Sequence, residues 1–162
     1  MPPESPVFGG PGRTQGARLK PLAYFDASAL AKRYVRESDS AAVGALLGRF
    51  IVVTSRLSHA EVSSAVVRRW REGVVTAGDR DRLLGGIGAD FGEVEVVEMS
   101  REICQRAVRL MVRHLLRTGD AIQLASALTI SEQTGHPPRL RFVAFDDRLN
   151  AAAVAEGLAV RG

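Results

Sequence analysis

The chain predicts an α/β fold, a central, mostly parallel sheet of four to five strands with helices on both faces. Three observations predict it. Short apolar runs of strand length alternate with segments of helical pattern along the whole chain. At 162 residues, with 46% apolar and 25% charged residues, the composition is that of one soluble globular domain with a real core. Four acids, Asp26, Glu61, Asp120 and Asp146, each stand where a strand ends or a helix begins, and in an open α/β sheet the carboxyl ends of the strands form the functional crevice.

The elements follow in order. Residues 1 to about 19 are rich in Pro and Gly and read as a flexible leader, leaving 20–162 as a single domain. Leu22 to Phe25 is a short buried strand, followed by a helix from Ser28 to Tyr34. Ser38 to Leu47 predicts a second helix, with Ser38 or Ser40 as its N-cap. Phe50 to Val53 is the next strand. Leu57 to Arg71 is a helix with Val62, Ala65, Val66 and Trp70 at helical spacing. Thr76 to about Ile87 predicts a weaker helix that frays into Gly85-Gly86. Val94 to Val97 is a strand, and Arg101 to Arg117 and Asp120 to Gln133 are helices. Gly135-His136-Pro137-Pro138 breaks the chain. Leu140 to Phe145 is a strand, Asp147 to Ala155 a helix, and Leu158 to Val160 a last short strand.

Charge and cysteine content narrow the function classes. The net charge is +4, and Lys occurs only at positions 20 and 32. Arg suits phosphate recognition through its planar fork of donors. Cys104 is the only cysteine, so no internal disulfide forms and nothing points to an oxidising compartment. It reads as a core residue inside an amphipathic helix. No run approaches the roughly 20 apolar residues a membrane span needs. The expectation is a cytoplasmic protein.

Each acid has a purely local reading. Ser58-His59-Ala60-Glu61 has the form of a capping box, Asp120 gains from the dipole of the helix it opens, and Asp26 and Asp146 or Asp147 can cap the helices after them. Taken together the four say more. Like charges brought close raise each other's pKa values, and a hard divalent cation, Mg²⁺ or Mn²⁺, is the usual remedy.

The residues around the acids carry a resemblance. Asp26-Ala27-Ser28-Ala29-Leu30 after a strand, Thr54 to Glu61 at the head of a helix, Gly119-Asp120-Ala121-Ile122-Gln123-Leu124-Ala125, and Phe142 to Leu149 with Ala151-Ala152-Ala153 and Glu156-Gly157-Leu158 are in order and spacing the four blocks of PIN-domain nucleases. The compact size resembles the VapC toxins of VapBC toxin–antitoxin pairs. The family often has His where this chain has Gln123, a departure that touches only a neighbouring contact. The resemblance implies a PIN-like three-layer α/β/α sandwich and a metal-dependent endoribonuclease. It implies Asp26, Glu61, Asp120 and Asp146 as the catalytic acids. Asp26, Asp120 and Asp146 would be metal ligands, with Glu61 and Asp147 as further candidates, and Ser28 would orient Asp26. It also implies an RNA substrate, a VapB-like antitoxin and a homodimer.

The chemistry fits those charges. Carboxylates and a phosphodiester repel, so a cation must mediate, lowering the pKa of a bound water and stabilising the leaving 3′-oxygen. One metal or two would serve, and Glu61 could hold the attacking water or the second ion. Arg106, Arg109, Arg113 and Arg117 recur at spacings of three and four, one helical stripe that could follow an RNA backbone or simply solvate the helix. Arg68, Arg69 and Arg71 flank Trp70, which reads as packing against a helix or a partner. His114 falls in the apolar arc and reads as a packed, hydrogen-bonded histidine. Leu30, Tyr34, Val35, Leu46 and Leu47, with the helix from Val62 to Trp70, could form the apolar groove an antitoxin segment needs.

Two other readings stand beside this one. A catalytically weak PIN domain would act as an RNA- or protein-binding module. A receiver or phosphoryl-transfer domain would use Asp26 as phospho-acceptor, but phosphatases want an acid two residues later, where Ser28 stands, and receivers want an acidic pair at the first strand's end and a late Lys, where this chain has none after Lys32.

Overall fold

A computed structural model describes residues 20–135 and 140–160. The expected leader, 1–19, and all of the chain break after Gly135 lie outside the described residues. The element order is β1 Leu22–Phe25, α1 Ala27–Tyr34, α2 Ser40–Arg49, β2 Ile51–Ser55, α3 Arg56–Arg71, α4 Ala77–Asp90, β3 Glu95–Val97, α5 Arg101–His114, α6 Thr118–Gln133, β4 Arg141–Val143, α7 Asp147–Ala155 and β5 Ala159–Val160.

The five strands form one sheet in the order β3-β2-β1-β4-β5, and every pairing is parallel. Alternation along β1 assigns the two faces. Tyr24 points into a core shared with α5, α6 and α7, where it stacks on Phe142 of β4 with ring centroids 5.7 Å apart. Ala23 and Phe25 point into a second core built with α1, α3 and α4. The sheet is therefore the middle of three layers. Tyr24, Phe25 and Phe142 are fully buried, each contributing on the order of 1.5–3 kcal/mol through removal of apolar surface from water.

The sheet also fixes where ligands can reach. The chain runs outward from β1 through β2 to β3, then resumes on the other side of β1 with β4 and β5. The crevice at the carboxyl ends of β1 and β4 lies where the strand order reverses. Asp26 follows β1 and Asp146 lies three residues beyond β4. The Asp26 N–H donates to the Val143 carbonyl at 3.1 Å, which ties the two strand ends together.

Several local expectations give way to tertiary packing. Helix α3 starts at Arg56, capped by the Ser55 hydroxyl, which accepts the Leu57 N–H. Ser58 lies inside the helix, so it and Glu61 form no capping box. Neither Ser38 nor Ser40 caps α2. Asp39 occupies that position, and the Ser40 hydroxyl accepts the Glu37 N–H at 2.9 Å. Helix α4 runs through Gly85-Gly86 to Asp90, because Ile87 is fully buried and Leu83 and Leu84 pack on the second core. Its start is a capping box between Thr76 and Asp79.

Helix α5 stops at His114, where exposed Leu115 adopts a left-handed conformation, φ 53°. Cys104 is exposed, contrary to the core position expected of it. The buried face of α5 is set by Ile103, Ala107 and Leu110, and position 104 falls to its side. His114 is packed as expected, with Nε2 2.7 Å from Glu156 Oε1. Trp70 packs under the Arg80 guanidinium of α4, 4.3 Å from its ring centroid. No helix among the described residues is long and apolar enough to cross a membrane.

Candidate active site

Each acid is placed by a different element. Asp26 is the N-cap of α1. Its Oδ1 accepts the Ala29 N–H at 2.9 Å and the Ser28 hydroxyl at 2.7 Å. Ser28 Oγ in turn accepts the Phe145 N–H at 3.1 Å, so one serine links the turn after β1 to the turn after β4. Asp146 caps α7, with Oδ1 accepting the Leu149 N–H at 2.8 Å. Asn150 braces that turn by donating from Nδ2 to the Ala144 carbonyl at 3.2 Å. Asp147 is exposed in the first turn of α7. Glu61 projects half-buried from α3, and Asp120 lies half-buried in the first turn of α6.

The electrostatics join the four into a chain. Asp26 is almost fully buried, and desolvation raises its pKa to about 6 against the lowering effect of the Ala29 N–H and the Ser28 hydroxyl, with the Glu61 charge adding to the rise. Burial also raises Glu61, opposed by the Gln123 hydrogen bond and reinforced by the charge of Asp120. Burial raises Asp120 as well, and the charge of Asp146 raises it further, while Arg117 and Arg148 pull it down. Asp26, Glu61, Asp120 and Asp146 thus repel one another in sequence, delivered by β1, α3, α6 and the β4–α7 turn.

This donor set suits a hard cation. All four side chains offer carboxylate oxygen. Among the described residues no three such side chains are gathered into a closed ligand set. Mg²⁺ keeps several of its waters and binds proteins through one or two carboxylates plus substrate phosphate, so it does not need a closed cage of protein ligands.

Beneath the acids lies a buried polar network. Gln123 of α6 is 2% exposed. Its Nε2 donates to Glu61 Oε2 at 2.7 Å and to Ser58 Oγ at 2.9 Å, and its Oε1 accepts the Tyr24 hydroxyl at 2.7 Å. Thr54 Oγ1 donates to the Phe25 carbonyl at 2.7 Å and lies 2.8 Å from Ser58 Oγ. With the Thr54 proton committed to that carbonyl, the Ser58 hydroxyl donates to Thr54 Oγ1 or to Gln123 Oε1, 3.2 Å away. Sequence reasoning treats Gln123 as a peripheral departure, whereas it is the hub beneath Glu61. Its signal was present: it stands one helical turn after Asp120 and is polar within an apolar run.

The arginine stripe is not one surface. Arg106 is paired with Glu132 and Arg113 with Glu156 at 2.6 Å. Arg109 is exposed on α5. Arg117 leaves that helix altogether, occupying the N-cap position of α6. Of the four, it is the one whose charge is felt by Asp120, together with Arg148, which the stripe did not include.

The comparisons with known proteins agree with one another. Residues 23–155 match the family model of the PIN domain. The chain is similar to Ribonuclease VapC45 of Mycobacterium tuberculosis, at 33% identity over 141 residues, which is 86% of this chain and 94% of that protein. Its structure resembles FitAcB from Neisseria gonorrhoeae, with a TM-score of 0.60 at 13% identity over 87% of this chain and 97% of that one. It also resembles a chain of a toxin–antitoxin complex from Klebsiella pneumoniae, with a TM-score of 0.54 at 19% identity over 76% and 86% of the two chains. At those identities the two structures speak for the fold alone.

Proposed function

The chain belongs to the PIN-domain family, among relatives of the VapC type, and from that premise we propose that it is a divalent-metal-dependent endoribonuclease, the toxin of a toxin–antitoxin pair. The observation that carries the reading is the file of four carboxylates, from the ends of β1 and β4 and from α3 and α6, in which each raises the pKa of a neighbour.

In this reading Asp26, Asp120 and Asp146 hold the cation, Mg²⁺ or Mn²⁺, with Asp147 as an outlying acid. Once bound, the ion would supply positive charge for the phosphate and an acidified water. Ser28 holds Asp26 in one rotamer. Glu61, with its basicity raised by burial, orients the attacking water or holds a second ion. Attack in line at phosphorus leaves a 5′-phosphate and a 3′-hydroxyl. In this reading Arg117 and Arg148, whose charges reach Asp120, meet the RNA backbone.

The partner reading draws on a different surface. Tyr34, Val35, Val66, Val74, Val75 and Leu83 line a cavity of about 370 Å³ between α1, α3 and α4. An amphipathic antitoxin segment fits such a surface. Leu30 and Leu47, expected in the same groove, line with Tyr34 a separate cavity of about 210 Å³ against Phe91.

The test is cleavage of a 5′-labelled RNA with Mg²⁺ or Mn²⁺. Wild type should cut, EDTA should stop it, and Asp120→Asn should reduce the rate at least about 100-fold, as expected when a charge-stabilising group is lost. Equal cleavage in EDTA would overturn the metal mechanism.

A further inference from the structure

We propose that Gln123 of α6 clamps the Glu61 carboxylate in a space that Gly119, one turn earlier, leaves open, both acting as positioning residues. The proposal rests on the nuclease reading above and deepens it. On one side, Gln123 Nε2 donates to Glu61 Oε2 at 2.7 Å. Because a carboxylate only accepts, the amide nitrogen must face it. The glutamine cannot swing away, since Tyr24 and Ser58 hold the rest of its amide and Thr54 ties Ser58 to the β1 backbone. On the other side, a Cβ on Gly119 would lie 2.7 Å from Glu61 Oε1, closer than such atoms approach. Glu61 therefore occupies space that only glycine leaves open.

The two residues are one turn apart on α6, so they meet α3 along the same face. Asp120 lies between them in sequence. The helix that repels Glu61 through Asp120 is thus the helix that holds it. A carboxylate beside a like charge turns away unless something fixes it, and here a neutral amide does so.

The test uses full-length wild type, Gln123→Met, Gly119→Ala and Asp26→Asn. Three quantities are measured: initial rates on a labelled random-sequence RNA, Mn²⁺ binding by calorimetry without RNA, and thermal melting. Loss of a group that orients a metal-site side chain typically costs 10–100-fold in affinity or activity. Both Gln123→Met and Gly119→Ala should therefore lower kcat about 10–100-fold with KM nearly unchanged, and weaken Mn²⁺ binding about tenfold. Gln123→Met should also melt lower, since it strands Tyr24 and Ser58. Gly119→Ala should melt like wild type, because the displaced atom is the end of a flexible side chain. Folded Gly119→Ala with wild-type kcat and Mn²⁺ affinity overturns the clamp. If wild type fails to cut, or Asp26→Asn cuts equally well, the nuclease reading fails instead. Weakened Mn²⁺ binding by Gly119→Ala would still support the clamp in that case.

Discussion

Asp26 shows how much one side chain here gives up for its position. Burial pushes its pKa to about 6 from an ordinary 3.8. The folded chain holds this proton more tightly than the unfolded one. Stability from the protonated form is therefore present below about pH 4 and lost as pH rises through about 6. The difference amounts to roughly 3 kcal/mol at neutral pH. Asparagine keeps the Oδ1 acceptor for Ala29 and Ser28 without the charge. Asp26→Asn should then be more stable than wild type by about 2–3 kcal/mol at pH 7.5 in EDTA, with the gap closing by pH 4. Urea denaturation at the two pH values measures it, and an unchanged gap would mean that Asp26 is not desolvated. The variant should also lose cleavage, so stability and activity oppose each other at this residue.

Among the elements, α4 separates propensity from packing. Read locally, Gly85-Gly86 ends a helix. In the fold the helix continues, because Ile87 must reach the core beside Phe91. Both glycines are exposed, and a Cβ at either meets open space. Alanine there should raise stability by about 0.5–1 kcal/mol per site, through better helix propensity and a less free unfolded chain. A Gly85→Ala, Gly86→Ala double variant that melts no higher would show that the helix does not persist there. The end of α5 teaches the reverse. Apolar periodicity runs on past His114, yet Leu115 takes a left-handed turn that redirects the chain into α6, whose first turn carries Asp120. Nothing in the residue type of Leu115 announces that turn.

For the whole molecule, the cost of assembling like charges links ligand to fold. Four repelling carboxylates are held together by two helix caps, one glutamine and the sheet, and each raised acid subtracts from stability at neutral pH. A cation that binds only the folded state should restore it. At a concentration 100-fold above its dissociation constant, Mn²⁺ should add about 2.7 kcal/mol, a rise of roughly 5–10 °C in Tm for a chain of this size. Differential scanning fluorimetry reads this directly. The same rise in an Asp26→Ala, Asp120→Ala double variant would place the ion elsewhere.

By itself the sequence determined the order of strands and helices, the parallel sheet and the four acids, because apolar runs, helical periodicity and capping residues are local properties. Strand β1 and helix α7 begin and end where those patterns place them. Only the tertiary structure decided what those residues meet. Gln123 became the support of Glu61, and Gly119 the gap it fills, because α6 crosses α3 at that level. Arg117 left the arginine stripe because α5 ends at His114, and Cys104 came to the surface because Ile103, Ala107 and Leu110 set the buried face of that helix. Contacts between residues about 60 positions apart follow from how layers pack, and no local pattern in the chain encodes that distance.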